Sequence, residues 1–416
     1  MLSLFKSLIH PNLSSPSFFF FFFFPAFSPS MATPDWASLI PDLLLRISQN
    51  LLPCSFDYIN FRSTCSGWRS AAPHVKFAPF LLFPFDSEAG GFSFYSPSDD
   101  RVYFKPFPEA SSTVFCGSSH GWLVLMDELA SISLLNPFTR ARVQLPPADE
   151  QLALSSLKHV SKVGNRWFSR SEDGTVTLLT LTDMHQVFIK QVILSSAPNS
   201  GDGFIAVAAL ALSTQVAFCR RGDQRWTLLE TTLSCDIKSI AFHNGRLFAM
   251  DYVGKIAVLE VDYSAGMIPI ASLQTPPCLF NCKLVESKGD LLLVGLAIHR
   301  VDEENLYLER DSEIYKFNPG VEPVWSRVES IGDETLFLSL YFNSNVAGSR
   351  LSRCKGNSIY YSGPIFVVDE PTEPGVHHME VVDLANGSSE MVPCHRPSQN
   401  SEFVSWFQPN LYLAEV

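Results

Sequence analysis

The chain lacks the cysteine spacing of a zinc module. Its nine cysteines are odd in number and scattered, and none forms a C-x-x-C pair. Cys278 and Cys282 stand close together with no second pair to complete four ligands, so no metal site is expected. Reduced, buried thiols are the default for such cysteines, which places the protein in the nucleus, the cytoplasm or both. The sequons at Asn12 and Asn386 then carry no weight. Runs of Lys and Arg are also missing, with only pairs such as Arg220-Arg221. The 416 residues carry 30 basic against 42 acidic side chains, a net charge of −12. Nucleic-acid capture needs a basic face, so nucleic acid is excluded as a partner. The acidity fits simple solubility better than selection of a basic client. No apolar stretch reaches the ~20 residues that span a bilayer, which excludes a membrane anchor. There is no Walker A sequence, and no cofactor is expected.

The first thirty residues form a leader dominated by seven consecutive phenylalanines, Phe18 to Phe24. The run resembles a signal-peptide core, with Lys6 as a weak basic flank. A transit peptide is the second reading: the stretch is Ser-rich and acid-free, but holds no Arg. The third, which we favour, is that Met31 is the working start, and the leader is then spurious or disordered. Kept in place, an exposed Phe tract is an aggregation hazard.

Residues 35–75 read as three short helices. Pro41 suits a first helical turn, where its missing N–H costs nothing. Asp42 sits favourably at the positive end of the helix dipole. Leu43, Leu44, Ile47 and Leu51 make one apolar face, and Pro53 ends the helix. A second helix is expected from Ser55 as N-cap, carrying Phe56, Ile59 and Arg62. A third holds Cys65 and Trp68 and stops before Pro73. Three helices of this length bury too little to stand alone, so apolar residues left over form a partner's docking surface. The plain alternative is a helical subdomain packed on the rest of the chain.

The order Ile40-Pro41-Asp42-Leu43-Leu44-Leu45, Ile47, Leu51, Phe61-Arg62, Cys65, Trp68-Arg69 resembles an F-box, whose pattern is Leu-Pro-x-Asp-Leu-Leu, Ile, Leu, Phe-Arg, Cys, Trp-Arg. Ile40 replaces the usual Leu, Leu43 stands where Asp is frequent, and Ser48 occupies a position that is often apolar. The resemblance implies docking on the Skp-type adaptor of a cullin–RING ubiquitin ligase. The residues it assigns to that contact are Leu39, Ile40, Pro41, Leu44, Ile47, Leu51, Cys65 and Trp68.

From residue 76 the texture changes to short apolar or alternating runs broken by Gly, Asn, Asp and Pro, such as GWLVLMD, KIAVLEV and SIYYSG. No amphipathic helix of about fifteen residues is visible, so the body is all-β. Glycines that open strands fall at Gly121, Gly164, Gly203, Gly245, Gly289 and Gly332, 39 to 44 residues apart. Two local echoes strengthen that ladder. Glu286-Ser287-Lys288-Gly289-Asp290 returns as Glu329-Ser330-Ile331-Gly332-Asp333, and Trp226-Thr227-Leu228-Leu229-Glu230 resembles Trp325-Ser326-Arg327-Val328-Glu329. A period in the low forties with four strands per unit points to a propeller of six or seven blades.

The segment from Cys116-Gly117-Ser118-Ser119-His120-Gly121-Trp122-Leu123 through Leu135-Asn136-Pro137-Phe138-Thr139 to Leu145-Pro146 resembles the first blades of plant F-box proteins. With the later Ile359-Tyr360-Tyr361, the body is similar to their kelch-related, KIB-type domain. The expected organisation is α+β and multidomain: a leader at 1–30, an F-box at 31–75 and a kelch-like β-propeller at 76–416.

Three chemical motifs read better as structure. Gly117-Ser118-Ser119-His120-Gly121 fits G-x-S-x-G, but a nucleophile elbow needs a following helix and Trp122 to Met126 reads as strand. Gly201-Asp202-Gly203 with Ala206 fits G-x-G-x-x-A without the βαβ surroundings of a dinucleotide site. His377-His378 lie near Asp369, Glu370 and Glu373 in a proline-rich stretch, expected to be a solvated loop. Residues 301–313 read as a charged loop on one rim, where propellers bind partners.

The function these features imply is a non-catalytic substrate receptor of an SCF-type ligase, holding a protein client on the propeller. A scaffold or kinase-binding inhibitor acting outside a ligase is the alternative implied by some relatives. A propeller enzyme would need His, Asp or Glu clustered around the axis, and the histidines share no common place in the repeat.

Overall fold

The computed structural model describes residues 35–150, 152, 159–199, 203–262, 266–277, 279–300, 308–339, 346–349, 354–363, 376–395 and 404–410. The expectations for the Phe-rich leader, for Cys278, for residues 301–307 and for Asp369, Glu370 and Glu373 fall outside them. Met1–Leu39 and Ile40–Val416 are separate compact units. In the first, the described residues form a 3₁₀ turn, Trp36–Ser38, capped by the Asp35 side chain, which accepts from the Ala37 N–H at 3.2 Å.

The second unit begins with three helices: α1 (Pro41–Leu51), α2 (Ser55–Ser63) and α3 (Ser66–Ala71). Pro41 occupies the first turn of α1 and Asp42 its acidic position. The N-cap of α2 is Cys54 rather than Ser55. The Ser55 hydroxyl instead donates to Asp99 at 2.8 Å, tying the helix to the β body.

Seven sheets follow among the described residues. Blade 1 joins β1 (Phe80–Leu82), β2 (Gly91–Ser96) and β3 (Arg101–Pro106) to the late strand β28 (Ser405–Phe407), in the order β28-β1-β2-β3. Blade 2 is β4 (Thr113–Ser119), β5 (Trp122–Asp127), β6 (Ile132–Leu135) and β7 (Arg142–Gln144). A three-stranded sheet, β8 (Val160–Val163), β9 (Arg166–Arg170) and β10 (Val176–Leu178), and a short helix α4 (Leu181–Val187) come next. Blade 3 is β11 (Ile189–Leu194), β12 (Ile205–Leu210), β13 (Val216–Arg220) and β14 (Thr227–Leu229). Blade 4 is β15 (Ile237–His243), β16 (Arg246–Asp251), β17 (Lys255–Asp262) and β18 (Gly266–Gln274). Blade 5 is β19 (Leu279–Ser287), β20 (Asp290–Arg300), β21 (Leu308–Phe317) and β22 (Trp325–Val328). Blade 6 has five strands in the order β24-β23-β25-β26-β27: β23 (Glu334–Leu338), β24 (Val346–Ser349), β25 (Ser358–Tyr361), β26 (Val376–Asp383) and β27 (Ser389–His395).

Six hydrophobic clusters close these blades into a ring, because each cluster is shared by two neighbours. Leu123 and Leu125 pack with Phe80 and Phe94 between blades 2 and 1. On the opposite face of the same strand, Trp122, Val124 and Met126 pack with Ala206 and Ala208 between blades 2 and 3. This is the period-2 alternation of a strand buried on both sides, and it explains why GWLVLMD reads as continuously apolar. The series continues from blade 3 to 4, 4 to 5, 5 to 6 and 6 back to 1. Val160 and Trp167 of the three-stranded sheet and Met184 of α4 wedge into the 2–3 cluster. That sheet therefore occupies a place in the sequence repeat without being a member of the ring, and the ring has six blades.

The ladder glycines all adopt positive φ, between 60° and 80°. Five lie between the first and second strands of their sheets, and Gly332 directly precedes β23. The tryptophan echo also has a shared geometry. Trp226 Nε1 donates to the Pro146 carbonyl at 2.8 Å and Trp325 Nε1 to the Gln274 carbonyl at 3.1 Å, each reaching the outer edge of the preceding blade. The stretch read as a charged loop at 301–313 is partly strand: from Leu308 onward β21 pairs with β20, Leu308 opposite Arg300.

Candidate docking face and central cavity

Helix α1 turns two different faces outward and inward. Leu44, Ser48 and Leu51, spaced i, i+4, i+7, are buried. Trp68 is buried too, its ring 4.7 Å from that of Phe61. The sequence assigned Leu44, Leu51 and Trp68 to the partner contact; the structure uses them to close the three-helix core. The physical reason is that short helices must first bury an apolar stripe of their own. Apolar residues at the two ends of the helix stay open: Ile40 at the N-cap is 65% exposed, Leu43 in the first turn 42% and Leu52 at the C-cap 40%. Pro41 is also exposed, whereas Leu39, Ile47 and Cys65 are intermediate. Leu43 and Leu52, omitted from the sequence-based set, are the additions. Their signal was helical phase, since Leu43 falls one residue before the buried stripe.

The Phe61-Arg62 pair explains itself locally. Phe61 fills the space beneath Trp68, and the buried Arg62 guanidinium donates to the carbonyls of Arg69, Ala72 and Pro73. It thereby satisfies carbonyls left open at the end of α3. Tyr58 adds an O–H bond to Pro73 O at 2.5 Å.

Helix α2 fastens this bundle to blade 1. Phe56 stacks on Tyr103 with centroids 4.5 Å apart and planes 3° from parallel, and it packs edge-on to Phe80 and Phe138. Lys105 Nζ donates to Asn60 at 2.9 Å, over the Phe138 ring. Burial, with a smaller contribution from Arg140, lowers Lys105 to about 8.

Beneath α2 lies a cavity of about 520 Å³. Its wall takes one segment from each blade, at 118–121, 193–194, 240–242, 284–286, 346–348 and 408–410, and Tyr58, Ile59 and Arg62 of α2 also line it. The G-x-S-x-G residues sit in this wall as struts. Ser118 Oγ donates to Trp406 O at 3.2 Å, Ser119 Oγ accepts the Leu194 N–H at 3.1 Å, and His120 Nε2 lies 3.2 Å from Leu194 O. Strand β5 follows the turn, not a helix. Gly203 likewise precedes strand β12, while Gly201 and Asp202 lie outside the described residues. His377 is not in a solvated loop: it is buried in β26, bonded through Nε2 to Ser362 O and edge-on to Phe83.

The Asn-Pro-Phe-Thr element is a turn built by one side chain. Asn136 Oδ1 accepts the N–H groups of Phe138 and Thr139 at 3.0 Å each. That turn presents Phe138 to the cluster holding Phe56.

The family model described as KIB1-4 beta-propeller matches residues 94–383. The chain belongs to this KIB-type family of plant F-box proteins. F-box protein SKIP23 of Arabidopsis thaliana is 27% identical over 387 residues, covering 86% of this chain and 91% of that protein. F-box protein At2g17036 of the same plant is 25% identical over 395 residues, covering 86% and 90%. The matched residues fall within the span of the ring, which is the family's propeller.

Proposed function

We propose that this protein is the substrate-recognition subunit of an SCF-type cullin–RING ubiquitin ligase, acting in the nucleus or cytoplasm. The observation that carries the reading is the set of exposed apolar residues at the two ends of α1, Ile40, Leu43 and Leu52. Pro41 and the partly exposed Ile47 and Cys65 extend the surface offered to a Skp-type adaptor. Apolar side chains there contribute roughly 1.5–3 kcal/mol each when a partner buries them. The F-box identity of the relatives supports the same partner. The chain itself supplies no reacting group in this role. It raises the effective concentration of a client near the ligase's catalytic subunits.

The test is co-purification with a Skp-type adaptor. The double variant Ile40→Asp/Leu43→Asp is expected to lose the adaptor while keeping the wild-type melting curve. Leu212→Asp, an exposed leucine already at positive φ in the body, is expected to keep it. Undiminished capture by the double variant would overturn the docking face. Adaptor capture without ubiquitination of a bound client would favour the scaffold or inhibitor role.

A further inference from the structure

The innermost strands of blades 2 to 5 share an irregularity near their starts. Pairing with the second strand shifts between Phe115 and Ser118, between Ile189 and Gln191, between Ile237 and Ser239, and between Phe280 and Lys283. Such bulges re-aim the side chains at and beside them. In blades 3 and 4 the residue inside the shift is a lysine, Lys190 and Lys238, and in blade 5 Lys283 is the first paired residue after it. The Lys190 and Lys238 ammonium groups meet over Tyr252, and Lys283 lies close enough to feel both charges. Lys190 Nζ donates to the Tyr252 hydroxyl at 2.7 Å and to Ile237 O at 3.1 Å, and the Lys190 and Lys238 ammonium groups lie 4.6 and 5.1 Å from its ring centroid. Lys283 is only 5% exposed. Burial first, then the neighbouring Lys238 and Lys190 charges, push it down to about 7. These positions are N-terminal, on the same strands, to the residues that line the helix-capped cavity. Lys190 and Lys238 lie near the starts of their strands, away from the cavity end, and Lys283 directly precedes the lining residue Leu284. Tyr252 and Val253, 56% and 63% exposed, form an apolar lip beside them.

We propose that Lys190, Lys238 and Lys283 form a phosphate-binding mouth that takes a phosphorylated segment of a client protein. Three like charges brought together from three blades repel one another, and one of them is held out of water. A dianion among them reverses both costs, and phosphate offers enough oxygens to accept from all three. The Tyr252-Val253 lip suits the apolar side chains that flank a phosphorylated residue in a peptide, which a free phosphate would leave uncovered. This proposal rests on the reading of the propeller as a client receptor.

The test uses the full chain and fluorescence anisotropy with two labelled peptide pools of random flanking sequence. One pool carries a fixed phosphoserine and the other a fixed serine. The phosphoserine pool is expected to bind, inorganic phosphate to compete with it, and the serine pool to bind at least about tenfold more weakly. Lys190→Met/Lys238→Met is expected to abolish the difference between pools, whereas Lys255→Met on β17 preserves it. Lys283→Met is read together with its melting curve: a fall in binding at an unchanged melting temperature assigns the loss to the ammonium group. Equal binding of the two pools, or a preference that survives the double variant, overturns the proposal. Binding of inorganic phosphate alone, detected as a melting-temperature rise absent with chloride at equal ionic strength, overturns the protein source. The Lys190/Lys238 variant keeps its adaptor, so failure here and failure of the docking face are told apart.

Discussion

Gly121 shows how tightly single residues are specified. Its φ is +79°, and a Cβ there would collide with the Asn410 backbone, which belongs to the chain's last described segment. The glycine of the Gly-Trp-Leu element therefore serves two ends, a left-handed turn and a close passage between distant parts of the chain. Gly121→Ala is expected to cost about 1–3 kcal/mol, read as a lower denaturant midpoint. His185 on α4 gives a pH signature. Burial lowers it to about 4, so between about pH 4 and its ordinary value near 6.5 the unfolded chain holds a proton that the folded chain does not. Stability then rises with pH across that window. Acidifying from pH 7 to 5 should remove about 1–2 kcal/mol through this group, and His185→Gln should flatten that part of the stability–pH curve.

At the level of elements, the sequence was most legible where a local rule and the repeat coincide. The ladder glycines mark real turns, and the two tryptophans four residues before a Glu make the same bond in two blades. Trp325→Phe should keep the packing and lose the bond to Gln274, lowering stability by about 1 kcal/mol in thermal unfolding. Helix α4 escaped because it is only seven residues long, although Thr180 and Asp183 form a full capping box. That Thr-x-x-Asp spacing was the available signal. Residues 308–313 read as loop because the stretch is rich in charge, although Glu313 is buried in β21, and polarity alone does not separate strand from loop. Burial within the bundle was only half legible. The sequence pattern located the helix, but apolarity does not say which residues of a short helix are spent internally. Leu44, Leu51 and Trp68 are buried in this chain.

For the whole molecule, what could not be read was the place of the three-stranded sheet. Spacing counts supersecondary units, whereas membership of a ring depends on which inner strands touch. Ring closure is equally non-local: β28 pairs with β1 through Phe80–Phe407, Leu81–Trp406 and Leu82–Ser405, more than three hundred residues apart. Its side chains Phe407 and Trp406 sit in the clusters on either side of blade 1. Truncation after residue 403 should therefore do more than fray an end. It is expected to replace one cooperative unfolding transition by a broad one and to raise binding of an apolar dye, both measurable in a single melt.

The stacking of Phe56 on Tyr103 has a mechanical meaning. With an aromatic side chain of α2 sunk into the first blade, the helical bundle and the ring are joined without a hinge at that contact. In the proposed role the protein would act as a fixed strut, and the lysines of a client that ubiquitin could reach would be chosen by a constant offset rather than by the slack of a tether.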